Sequence, residues 1–111
     1  MKVKDREFIF KIPSAWDGCA IYNMLVAYEI PFGASFAIGL ESIRQVMPPD
    51  KLEMFLKLCL KNCFEKVGEN KIVVVDEDGE VGITGASSPM LVKISSQYIL
   101  FFMDYWQKEN S

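Results

Sequence analysis

The chain of 111 residues contains no histidine. That absence excludes Ser-His-Asp triads and Cys-His dyads and removes the usual nitrogen ligand of zinc sites. The three cysteines, Cys19, Cys59 and Cys63, are an odd number at unremarkable spacing. They read as reduced, buried thiols of a cytoplasmic protein and not as a disulfide framework. No apolar leader follows the opening Met-Lys-Val-Lys-Asp-Arg-Glu, so secretion is not indicated. The longest apolar run, Tyr98 to Met103, is far too short to span a bilayer. The twelve Lys and Arg are scattered and the net charge is −3. A basic stripe that could neutralise phosphates is therefore not legible, and nucleic acid or an anionic membrane surface is disfavoured as partner.

What the chain does have is apolar mass: 50% of residues are hydrophobic and 13% aromatic. A chain of this length buries roughly two-thirds of its unfolded surface and makes a core without staples. One domain over residues 1–111 is expected.

Glu7 to Ile12 alternates and reads as a strand, ended by Pro13. Ser14 with Asp17 three residues on is a capping arrangement for a helix over Ala15–Glu29, whose apolar stripe is Trp16, Cys19, Ile21, Met24, Leu25 and Tyr28. Pro31 and Gly33 break it, and Ala34–Val46 reads as a short helix. Pro49 suits the first turn of a helix over Asp50–Val67, where Leu52, Phe55, Leu56, Cys59, Cys63, Phe64 and Val67 recur at three and four, before Gly68 as a left-handed stop. Lys71–Asp76 is a β-branched strand, Asp78-Gly79 a hairpin turn, and Val81–Thr84 the returning strand. Ser88 caps and Pro89 opens a last helix running to about Gln107. The fold class is α+β: a small helical domain of three to four helices with an N-terminal strand and a β-hairpin.

The candidate chemistry is thin. Cys59 and Cys63 fall on the apolar stripe of their expected helix, which favours core thiols over a metal pair. Asp76, Asp78 and Gly79 echo a calcium loop, but Val74 and Gly85 stand where its first and last carboxylates belong. The glycines form neither a dinucleotide fingerprint nor a P-loop. No cofactor and no enzymatic activity are expected.

The last helix exceeds what a surface helix needs. Leu91, Ile94, Tyr98, Phe101 and Tyr105 supply a core stripe, while Val92, Ile99, Phe102, Met103 and Trp106 add a second apolar face. Such a helix is central to its own domain, self-associates, or presents one face to a partner groove. On the partner reading the contact residues are Tyr98, Ile99, Phe102, Met103 and Trp106. Met24, Met47, Met54 and Met90 add adaptable volume, mostly core filler.

The order of features, Glu7-Phe8-Ile9-Phe10-Lys11-Ile12-Pro13-Ser14, then Pro49-Asp50-Lys51-Leu52-Glu53-Met54-Phe55, the acidic Val75-Asp76-Glu77-Asp78-Gly79 and the aromatic Tyr98-Ile99-Leu100-Phe101-Phe102, resembles the small tail assembly chaperones of long-tailed bacteriophages. The resemblance spans most of the chain as pattern and order, without a diagnostic motif. It implies a non-enzymatic protein of the host cytoplasm that binds the long helical tape measure protein, aids tail tube subunits in assembling around it, and forms homo-oligomers. The alternative is a small phage or bacterial protein that inhibits or adapts one specific partner.

Overall fold

The computed structural model describes residues 1–30, 43 and 45–109. Two short strands open the chain, β1 (Lys2–Val3) and β2 (Arg6–Phe10), followed by helix α1 (Ala15–Ala27). Helix α2 (Pro49–Leu60), strands β3 (Cys63–Val67) and β4 (Asn70–Val73), and the long helix α3 (Ser88–Glu109) complete the order. The strands form one antiparallel sheet in the order β1-β2-β3-β4. The α+β class therefore holds, with two hairpins in place of one strand and one hairpin. Most of the expected 34–46 helix, and the Pro31 and Gly33 break before it, lie outside the described residues; Ile43, Gln45 and Val46 are helical.

Local chemistry explains the boundaries. The Ser14 hydroxyl accepts from the Asp17 N–H at 3.3 Å and caps α1 as its spacing predicts. Pro49 occupies the first turn of α2, where no N–H is missed. At α3 the cap is one residue earlier than expected: Ser87, not Ser88, accepts from the Met90 N–H at 3.3 Å.

The expected helix over 50–67 ends at Leu60, and residues 63–67 are strand β3. The buried Asn62 donates its side-chain amide to the Leu58 carbonyl at 3.0 Å, closing the helix end. Beyond it Cys63 and Glu65 point inward while Phe64 and Lys66 alternate outward, a period of two that pairing with β2 and β4 on both sides enforces. Gly68 does adopt a left-handed φ of 61°, but in the β3–β4 hairpin turn instead of at a helix end. After β4 the chain makes an acidic turn in which the Asp76 carboxylate accepts from the Asp78 and Glu80 N–H groups, both at 2.9 Å. The return is a single bridge between Val75 and Val81 and not a strand over 81–84. Gly82 is required there, since a Cβ would stand 2.7 Å from the Val73 carbonyl oxygen.

The helices cover one face of the sheet. Phe8, Cys63 and Glu65 are buried on that inner face, against Phe55, Cys59, Ile94, Tyr98 and Phe102 of the helices. Arg6, next to Phe8's end of β2, donates to both oxygens of the Glu65 carboxylate at 2.7 Å and reaches the Met90 sulfur at 3.7 Å. This bidentate pair closes the sheet against the start of α3.

Hydrogen bonds from Arg6 hold the Glu65 carboxyl below the usual carboxylate range, against the opposing effect of desolvation and with help from the guanidinium charge. The unfolded chain thus binds this proton more readily than the folded one. The pair's contribution is complete above the unfolded value of about 4.3 and is lost as pH falls through it toward the lower folded value. Glu65→Ala should cost about 2–3 kcal/mol at neutral pH, at or below the low end for a broken buried pair because Arg6 retains some solvent contact. Urea unfolding should show the gap between wild type and Glu65→Gln narrowing as pH drops from about 6 to 3.

Candidate protein-interaction surface

The five residues expected to contact a partner divide sharply. Tyr98, Ile99 and Phe102 are fully buried and Met103 nearly so, and Trp106 is half-buried. At about 100° per residue the buried positions Met90, Ile94, Ser95, Tyr98, Ile99, Phe102 and Met103 sweep about 220° of α3. The two faces read from the sequence are one wide core face, centred between them. Phe101 and Tyr105, assigned to the core stripe, are half-buried within this arc, and Val92 is exposed. The central-helix reading describes this placement. Phe10 packs edge-on against Tyr98 at 5.5 Å, and the Tyr98 hydroxyl donates to the Lys11 carbonyl at 3.0 Å.

One patch of exposed apolar side chains lies on α1, apart from the exposed Val46, Met54, Val67, Ile72, Val81 and Val92. Its inner side buries Gly18, Ile21 and Leu25. Trp16, Cys19, Tyr22 and Val26 fall on the opposite side within an arc of about 120°, and all are exposed, Trp16 at 84% and Val26 at 50%. Trp16 and Cys19 are thus corrected from core stripe to surface. Ile12, 53% exposed, precedes the helix. Trp106 borders this face, its ring stacked on Tyr22 with centroids 4.3 Å apart and planes 13° off parallel. The signal in the sequence was that α1 is apolar on nearly every side, so one side had to remain outside.

The thiols follow the same division. Cys59 and Cys63 are buried, and the Cys63 thiol donates to the Cys59 carbonyl at 3.4 Å. Burial pushes both thiols up, and proximity to Cys59 adds to the effect at Cys63. Cys19 is exposed, against the expectation of three buried thiols.

Two open grooves flank Lys57 on α2. One, of about 300 Å³, is apolar and includes Leu52, Leu56, Leu60, Val75, Val81 and Leu91. The other, of about 270 Å³, runs along the acidic turn past Met54 and Lys61. Lys61 joins three segments, 3.3 Å from Asp17 and 3.7 Å from Glu77. Met47 and Met90 are buried, Met24 is half-buried, and Met54 is exposed.

Among the described residues no group of three or more His, Cys, Asp or Glu is placed to hold a metal ion, and no helix is long and apolar enough to cross a membrane. No protein-family model matches the chain, and neither a curated protein nor a solved structure matches it significantly.

Two measurements check the division between core and surface. Phe102→Ala should destabilise by about 3–5 kcal/mol, whereas Trp16→Ala should change stability by no more than about 0.5 kcal/mol; urea unfolding reads both. Mass spectrometry after iodoacetamide treatment of the native protein should show Cys19 alkylated, with Cys59 and Cys63 labelled only on denaturation.

Proposed function

We propose that this chain is a non-enzymatic tail assembly chaperone that binds a long helical client of the tape measure type through the outer face of α1. The observation that supports the reading is the exposed aromatic and aliphatic arc Trp16, Cys19, Tyr22 and Val26 on the side of α1 away from Ile21 and Leu25. Apolar side chains of this kind, with an indole at one end, suit an apolar helical partner. The class of client comes from the resemblance of the chain's ordered pattern of strand, helices, acidic turn and aromatic helix to phage tail assembly chaperones. Trp106 extends the arc at its edge, while Tyr98, Ile99, Phe102 and Met103 support it from within the core. The excess of fifteen acidic over twelve basic residues helps keep a surface of this kind in solution.

The test is affinity purification of the tagged chain from the lysate of cells expressing the neighbouring genes, with partners identified by mass and stoichiometry. Many copies on one long helical protein, lost with Trp16→Asp or Val26→Asp while circular dichroism stays unchanged, is the expected outcome. A small partner at one-to-one would replace this reading with the inhibitor or adaptor alternative. Undiminished client binding by both variants would remove α1 from the site.

A further inference from the structure

Pairing across the sheet aligns residues that are far apart in sequence. Lys2 faces Glu7, Glu7 faces Lys66, and Lys66 faces Lys71, so one charged row crosses all four strands. Phe8, Cys63 and Glu65 point toward the helices, which puts this row on the opposite, outer face. The next row, Ile9, Phe64 and Val73, is apolar and half-buried. Lys11 reaches over the Phe64 ring, 5.8 Å from its centroid. The outer face thus gathers Lys2, Lys11, Lys66 and Lys71 against Glu7, with Lys4, Asp5 and Glu69 at the hairpin ends. Lys66 and Lys71 stand directly opposite one another, a like-charge pairing that weakens a sheet. None of the four has a carboxylate within ion-pair distance among the described residues.

The opposite charge is gathered on the helix side. The acidic turn carries Asp76, Glu77, Asp78 and Glu80, and its Gly79 lies against Lys57 of α2. The Asp76 carboxylate holds the turn's backbone, Lys61 takes up Glu77, and Lys57 pairs with Glu53 at 3.5 Å. Asp78 and Glu80 have no ion-pair partner among the described residues. Exposed Val81 and Met54 flank them. Each surface therefore sets an apolar patch beside an excess of one sign of charge, cationic on the sheet face despite Glu7, Asp5 and Glu69 and anionic at the turn despite Lys57 and Lys61, with the signs reversed between them. The two lie on opposite sides of the sheet and meet only between molecules.

We propose that the outer face of the sheet, centred on Phe64, Lys66 and Lys71, docks the acidic turn of a second copy of this chain. Because the two surfaces differ, the contact is head-to-tail and leaves an unused surface at each end, so copies add into short chains or close into a ring. The inference rests on the sheet and the turn alone and not on the α1 reading. A phosphate backbone is the weaker match: the face has one aromatic ring and no arginine, and the chain as a whole is negative.

Sedimentation velocity of the full chain between about 5 and 500 µM, at roughly 20 and 500 mM salt, tests it. The average mass should rise with concentration at low salt and fall back toward the monomer at high salt. Lys66→Glu/Lys71→Glu and Asp78→Lys/Glu80→Lys should each move association to concentrations at least about tenfold higher. An equimolar mixture of the two variants should associate again, because each retains the surface that the other has lost; that recovery is not available to misfolded chains. A monomer at every concentration in low salt would overturn the proposal, as would variants that associate like wild type or a mixture that fails to recover. Added oligothymidylate that binds the sheet face of a chain that remains monomeric would assign that face to nucleic acid instead.

Discussion

A helix with apolar side chains over more than half its circumference has to be enclosed, and the enclosure of α3 sets the positions of the other elements. On one side β2 runs alongside it in the same direction. Arg6 meets Met90 at one end and Phe10 meets Tyr98 at the other. Four strand residues advance roughly 13 Å, and eight helical residues advance roughly 12 Å, so the two elements stay in step. The Tyr98 hydroxyl then needs a partner inside the core, and the Lys11 carbonyl supplies it where β2 ends. Pro13 and the Ser14 cap follow at once, so the direction in which α1 departs is tied to the same anchor.

The two ends of that β2–α3 seam are closed by different chemistry. At one end the rings of Phe10, Tyr98 and Phe101 lie 5.5–5.6 Å from one another, with the Tyr98 hydroxyl bonded to the Lys11 carbonyl as its one polar contact to the strand. Around Met90 the seam is closed by Arg6 and Glu65, a cross-sheet ion pair on the inner face. A carboxylate placed beside Phe8 would be costly unpaired, and only a guanidinium with its forked donors reaches both of its oxygens. The ion pair also fixes the register of β2 against β3, since a slip of one residue would turn Glu65 and Arg6 to opposite faces.

Some of this was legible from single residues. Ser14, Pro49 and the positive φ at Gly68 are local chemistry, and the structure uses each. Residues 63–67 read as helix because Cys59, Cys63, Phe64 and Val67 satisfy a spacing of three and four. The strand instead turns Cys63 and Glu65 inward and Phe64 and Lys66 outward, a charged residue inside and an aromatic one outside that no apolar alternation announces. Only the strands on either side decide between them. Strand β1 is two residues long and held by pairing that no local pattern announces, including the Phe8 N–H to the Met1 carbonyl at 2.8 Å. The wide apolar girth of α3 was legible, but its centre was not. Tyr98 and Phe102 mark a midline that depends on how the sheet and helices divide the circumference between them. The gathering of Lys2, Lys66 and Lys71 is a product of strand order and register, which is why twelve scattered cations looked like an absence of pattern.

The functional consequence lies in which helix carries surplus apolar surface. A partner face on α3 would require the rings of Phe102 and Tyr98 to leave the core, so that every contact there competed with folding. On α1 the two demands are separated across one helix. Ile21 and Leu25 hold it to the core, Tyr22 stacks on Trp106 of α3 at the edge of that contact, and Trp16 and Val26 face outward. A helix apolar on both sides is a liability for an isolated domain, since the outer side invites association. Its retention beside a surface rich in charge is intelligible when the outer side has a partner to meet. Trp16 and Val26 on the outer side can be changed without touching Ile21 and Leu25 on the inner side of the same thirteen-residue helix, which is what a test of the proposed binding face requires.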